Sequence, residues 1–197
     1  MYYLDIMERT DDRITLVLGG TRSGKSAYAE SLLPAERDKT VLYVATAECR
    51  QEDAAMVERI RRHRVRRPAH WQTLESQLHV GRSIEEKWAS SPCDVVMIDC
   101  ISMLASNVMF SLDDEENLPE LEQALRKEAL ELIRVMKNIS CRWILVSGET
   151  GLGIVAPTKL GRNYCDALGM CNQLLAAEAD RVVLVVAGRP LDLPAVK

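Results

Sequence analysis

The residues best equipped for chemistry are Gly19, Gly20, Thr21, Arg22, Ser23, Gly24, Lys25 and Ser26, an octet of the form G-x-x-x-x-G-K-[ST]. In such a loop the glycines let the backbone wrap a polyphosphate with its amide N–H groups turned towards the phosphate oxygens. Lys25 would neutralise the β- and γ-phosphates, and the Ser26 hydroxyl would hold Mg²⁺. Asp99 ends the apolar run Val95-Val96-Met97-Ile98 and is the expected acidic partner for that ion. A glycine-rich turn can match the octet by chance, and a strand-end aspartate can simply cap a turn. The two together point to phosphoryl or nucleotidyl chemistry, or to a switch powered by it.

A second cluster is more unusual. Arg59, Arg61, Arg62, Arg64, Arg66 and Arg67 surround His63, and Pro68-Ala69-His70-Trp71 follows. One reading is a solvated basic helix face. Another is a nucleic-acid patch, with arginines on phosphates and Trp71 stacked on a base. In a third, His63 is a nucleophile: positive neighbours disfavour imidazolium and keep a ring nitrogen available near neutral pH. The same arginines would hold the phosphates of a nucleotide under attack. Spacing does not choose among the three.

These groups need elements to bring them together. Ile14-Thr15-Leu16-Val17-Leu18 reads as a buried strand running into the loop, and Ser26 to Leu33 as a helix whose positive end faces the same anion. Further strands are expected at Lys39 to Ala45, Val95 to Asp99, Arg142 to Ser147 and Arg181 to Gly188. Helices are expected at Glu52 to Arg64, in the stretch between Pro68 and Trp88, and from Lys159 to Ala179. The clearest helix carries Leu121, Leu125, Ala129, Leu132 and Met136 on one stripe. Strands apolar on both faces and alternating with helices imply an α/β fold, a mainly parallel sheet with helices on both faces. The tip Ala45-Thr46-Ala47 is small enough for a ligand to approach closely.

Composition narrows the class. With 197 residues, one domain over 13–197 after an extension at 1–12 is the simplest organisation. A net charge of −4 argues against a protein that mainly coats nucleic acid, and no apolar run approaches the roughly 20 residues that span a bilayer. The six cysteines have no C-x-x-C spacing, which fits reduced, mostly buried thiols and a cytoplasmic setting.

The combination GGTRSGKS, VLYVATA, RIRRHRVRRPAHWQTLE, MIDCISMLASN and GETGLGIVAPTKLGRNYCDALGMCNQLLAAEADRVVLVVAGRPL resembles the bifunctional adenosylcobinamide kinase / adenosylcobinamide-phosphate guanylyltransferase family, over about Arg13 to Leu193. The resemblance implies a RecA-like P-loop NTPase fold, a homotrimer, GTP and ATP as substrates, and no nucleic-acid partner. It implies that adenosylcobinamide is phosphorylated and that GMP then passes from GTP to adenosylcobinamide phosphate through a GMP–histidine intermediate. By position it makes His63 the guanylylated nucleophile. It also puts the loop with Lys25, Ala45, Thr46, Ala47, Arg64, Val65, Arg66, Arg67, Glu75 and Asp99 where the family contacts GTP. His70 would be structural, and His79 a surface or packing residue. The chain departs from the family pattern at Ala55, where glutamate is usual, at Gly148 in place of asparagine, and at Tyr164-Cys165 in place of Phe-Arg. The alternative is a P-loop kinase of another small alcohol without the guanylyl step.

Overall fold

A computed structural model describes residues 12–34, 39–47, 58 and 67–195. The strands are β1 (Ile14–Gly19), β2 (Val41–Ala45), β3 (Gln72–Glu75), β4 (Val95–Asp99), β5 (Arg142–Gly148), β6 (Arg181–Val186) and β7 (Arg189–Leu193). The helices are α1 (Lys25–Ser31), α2 (Val80–Ser90), α3 (Ile101–Phe110), α4 (Leu118–Asn138) and α5 (Lys159–Glu178). All seven strands form one sheet in the order β3-β2-β4-β5-β1-β6-β7, parallel except for the β6–β7 hairpin at one edge. This is the expected mainly parallel α/β architecture, a P-loop NTPase fold.

Period-2 alternation sorts each strand onto two faces. Leu16, Leu18, Leu42, Val44, Val96, Ile98, Trp143 and Leu145 point to the larger core, which α2, α3, α4 and α5 cover. Val17, Val41, Tyr43, Val95, Met97, Ile144 and Val146 point to the other, where Ala29 and Leu33 of the α1 segment pack. The α4 stripe read from the sequence is buried throughout, from Leu121 to Met136. Asn117 caps that helix by accepting from the Glu120 N–H at 3.3 Å, and Thr158 caps α5 through the Gly161 N–H at 3.0 Å.

Several readings need correction or completion. The stretch from Pro68 to Trp88 is not one helix, because Gln72–Glu75 is a strand on the outer side of β2. An edge strand with alternating half-buried and exposed residues needs few apolar side chains, so QTLE passes for polar connection. The last strand stops at Val186. Ala187 and Gly188 both adopt positive φ and turn the chain back into β7. The apolar segment from Ile101, unassigned by pattern, is helical to Phe110. The helix expected over Glu52 to Arg64 lies outside the described residues except for Glu58, which is helical.

Candidate active site

Parallel strands deliver their C-terminal ends to one edge, and the register there decides which residues meet. Ala45 of β2 is level with Glu75 of β3 on one side and Asp99 of β4 on the other. Gly19, where β1 enters the phosphate-type loop, is level with Gly148. Thus the octet, the strand tip, Glu75 and Asp99 share one sheet edge, the position where ligands bind in open α/β sheets.

The loop is built by its glycines at two positions. A Cβ on Gly19 would sit 2.5 Å from Ser23 Oγ and 2.7 Å from the Val185 carbonyl, so no side chain fits. Gly24 has φ of 94°, which side chains rarely adopt, and it precedes the first residue of α1. The Gly188 N–H donates to the Ser23 carbonyl at 2.7 Å, tying the loop to the β6–β7 turn. Lys25 is buried and its Nζ donates to the Gly20 carbonyl at 3.1 Å, which holds the ammonium inside the curve of the loop.

The Ser26 hydroxyl donates to Asp99 Oδ1 at 3.2 Å, across 73 residues of sequence. The expected pair therefore meets. Two hard oxygen donors side by side suit Mg²⁺, which takes such ligands with substrate phosphates completing its shell. Asp99 Oδ2 accepts from the Tyr43 hydroxyl at 2.5 Å. Burial, and then the neighbouring Asp99 charge, push the Tyr43 hydroxyl far above an ordinary phenol, so it remains a donor at any physiological pH. One carboxylate oxygen is thereby fixed while the other faces Ser26.

Tyr43 is the site residue that sequence reading missed, although it stood in plain view within VLYVA. A tyrosine on a buried strand must place its hydroxyl against a partner, and that requirement was the available signal. Removing it in Tyr43→Phe should destabilise the fold by about 1.5–3 kcal/mol, the worth of a hydrogen bond to a charged group. The urea midpoint would read the loss. An equal loss in an Asp99→Asn background would show that this bond is not its source.

Arg67, the last arginine of the basic cluster, lies over the Tyr43 ring with its guanidinium carbon 3.5 Å from the centroid. Its Nε is buried with no hydrogen-bond partner among the described residues. The guanidinium thus lies over the ring whose hydroxyl donates to Asp99. Trp71 is partly buried and packs against the α1-side core, and His70 is exposed in the preceding turn. His63, Arg64, Val65 and Arg66 lie outside the described residues.

Thr46 is fully buried and its hydroxyl faces the start of α3. Its Oγ1 accepts from the Cys100 N–H at 2.8 Å and donates to the Cys100 carbonyl at 2.7 Å. Its side chain therefore braces β2 against the end of β4, while its carbonyl accepts from Asn107 Nδ2 at 2.8 Å. Burial, with Asp99 beside it, raises the Cys100 thiol, which stays protonated. The described cysteines (Cys93, Cys100, Cys141, Cys165 and Cys171) are free thiols. At the departures from the family pattern, Tyr164 donates to the Ser102 carbonyl at 2.8 Å, and a Cβ on Gly148 would make ordinary 3.4 Å contact with Ser102.

Residues 15–193 match the family described as "Cobinamide kinase / cobinamide phosphate guanyltransferase". The chain is 39% identical over 178 residues to the bifunctional adenosylcobalamin biosynthesis protein CobP of Pseudomonas aeruginosa, covering 90% of this chain and 95% of that one. It is 37% identical to the bifunctional adenosylcobalamin biosynthesis protein CobU of Escherichia coli and 39% identical to that of Salmonella typhimurium, each covering 88% of this chain and 95% of the relative. With loop, paired Ser26–Asp99 and matched length in agreement, the chain belongs to the cobinamide kinase / cobinamide phosphate guanyltransferase family.

Proposed function

We propose that this enzyme phosphorylates adenosylcobinamide with ATP or GTP and then transfers GMP from GTP to adenosylcobinamide phosphate, giving adenosylcobinamide-GDP. The observation that carries the reading is the meeting of Ser26, Asp99, Tyr43 and Arg67 at the sheet edge that holds the phosphate-type loop. Both stages use that edge, and the single domain 13–197 holds both.

In the first stage the corrinoid alcohol oxygen attacks the γ-phosphorus. A new P–O bond forms, the bond to the β-phosphate oxygen breaks, and the alcohol proton is lost to solvent or buffer. Loop amides and Lys25 stabilise the charge on the transferring group. Ser26 and Asp99 would hold Mg²⁺, which supplies further neutralisation of phosphate charge when bound. In the second stage a neutral His63 nitrogen attacks the α-phosphorus of GTP, forming a P–N bond as pyrophosphate departs. An oxygen of the corrinoid phosphate then attacks the same phosphorus, the P–N bond breaks and His63 is restored. Arg64, Val65, Arg66, Arg67 and Glu75 belong to the nucleotide contacts in this reading. Chain connectivity supports delivery of His63, because four residues span at most about 14 Å from Arg67.

A homotrimer belongs to the same proposal. The apolar side chains of Leu152, Ile154 and Val155 in the loop after β5, and of Leu191 and Leu193 on β7, are exposed and suit subunit or corrinoid contact. None of the described helices is long and apolar enough to cross a membrane. A cytoplasmic location follows from the reading, since that is where nucleoside triphosphates are available.

The test supplies the purified protein with adenosylcobinamide, ATP and α-labelled GTP. The expected result is acid-labile, alkali-stable label on the chain and labelled adenosylcobinamide-GDP in solution. Phosphorylated corrinoid without either labelled species would leave only a small-alcohol kinase. Absence of all three would sink the reading.

A further inference from the structure

Three ionisable side chains that the phosphoryl chemistry does not use meet where α2 begins. His79 precedes the first residue of α2, and Glu128 and Glu131 lie one turn apart on α4. Ligand-type atoms of His79, Glu128 and Glu131 all fall within 4.8 Å of one another. His79 Nδ1 is 2.9 Å from Glu128 Oε1, and the His79 backbone N–H donates to the same oxygen at 3.0 Å. The second oxygen is the telling one. Glu128 is only 7% exposed, and its Oε2 is buried with no hydrogen-bond partner among the described residues. Taking a carboxylate out of water costs several kcal/mol unless its charge and lone pairs are met, and here half of that carboxylate is not.

We propose that His79, Glu128 and Glu131 form a binding site for a divalent transition-metal ion of the zinc class. One imidazole nitrogen with two carboxylates is a donor set for Zn²⁺ or Co²⁺. Mg²⁺ sites use oxygen ligands and retained waters, so this is a different site from the Ser26–Asp99 pair. The 2.9 Å between Nδ1 and Oε1 is a hydrogen-bond spacing, which opens by only about 0.4 Å to reach the roughly 3.3 Å between ligand atoms on a tetrahedral ion with bonds of about 2.0–2.1 Å. Binding requires neutral imidazole and so displaces any proton held between His79 and Glu128. Three protein ligands leave one position for water, and the ion supplies positive charge to a buried carboxylate whose Oε2 has no hydrogen-bond partner among the described residues.

The ion clamps the start of α2 to the middle of α4. Asn107 links the Gln77 carbonyl, two residues before His79, to the Thr46 carbonyl at 3.0 and 2.8 Å. The clamp thus supports the turn that follows Glu75 and, through Asn107, the tip of β2. It is a structural site beside the nucleotide edge and takes no part in phosphoryl transfer.

The test uses the full chain, stripped by chelator and incubated with Zn²⁺ in the presence of excess Mg²⁺, then desalted and analysed for metal. Wild type should retain one equivalent and gain thermal stability with Zn²⁺. His79→Gln and Glu131→Gln, both at partly exposed side chains and checked for folding by circular dichroism, should each bind at least about tenfold more weakly. Asp99→Asn should retain the ion, which separates this site from the nucleotide pocket. Wild type without bound zinc, zinc kept equally by both variants, or zinc lost with Asp99→Asn would each overturn the assignment.

Discussion

Lys25→Ala should lower both corrinoid phosphorylation and guanylylation of the chain by roughly 10²–10³-fold, about 2.7–4 kcal/mol of lost transition-state stabilisation. The ammonium is buried within the loop and bonded to the Gly20 carbonyl, which holds it inside the curve that phosphates would enter. In the proposed reaction it would exchange that carbonyl for phosphate oxygens whose charge grows as the γ-phosphoryl moves. The loss should fall mainly on kcat, since the interaction is strongest in the transition state. Lys25→Arg should not restore the rate, because a planar fork does not fit where a compact point charge is held. Far-UV circular dichroism and thermal melting would verify that the variant folds. If Lys25→Ala slowed phosphorylation alone and left labelling from α-labelled GTP intact, the two stages would not share this loop.

The parts of the fold that could be read from the chain are those fixed by local chemistry. β1, β2, β4 and β5 are buried on both faces, so their apolar runs announce themselves, and α4 carries a stripe that only a helical period explains. The edges were harder. β3 and β7 cover one or no apolar face: all five β7 residues are exposed, and the alternation in β3 is weak. β3 depends on hydrogen bonds to β2, whose residues lie 30 positions earlier in the chain, and β7 on the hairpin it makes with β6. The site divides the same way. The octet is a local pattern, and Asp99 is recognisable from the strand it ends. Tyr43 acquires its role only when β2 lies beside β4, and Arg67 only when it settles on Tyr43, contacts that span 56 and 24 residues of chain. The Glu128 carboxylate is similarly silent in sequence. It sits in a regular helix among other charged residues, and only packing against His79 reveals that it is buried.

His63→Ala should abolish covalent labelling by α-labelled GTP, a fall of at least about 10³-fold in guanylyl transfer, while corrinoid phosphorylation stays within a few-fold of wild type. The asymmetry follows from what the side chain does. In the proposed kinase stage the nucleophile is the substrate's own hydroxyl, and the groups that would stabilise charge are Lys25, Ser26 and Asp99. In the proposed guanylyl stage the imidazole would make and break the bond to phosphorus. Its nucleophilicity depends on remaining neutral, which the flanking Arg59, Arg61, Arg62, Arg64, Arg66 and Arg67 favour by disfavouring a further positive charge. Arg67 anchors this segment. With its guanidinium over Tyr43, and Tyr43 bonded to Asp99, it pins one end of the segment to the sheet edge that carries Asp99. His63 is four residues away. A His63→Gly variant supplied with imidazole should regain part of the transfer of GMP to the corrinoid phosphate, because the small base can enter the space and carry the guanylyl group itself. Equal labelling of wild type and His63→Ala would place the nucleophile elsewhere. A parallel collapse of phosphorylation would mean that His63 supports nucleotide binding in both stages and is not selective for the second.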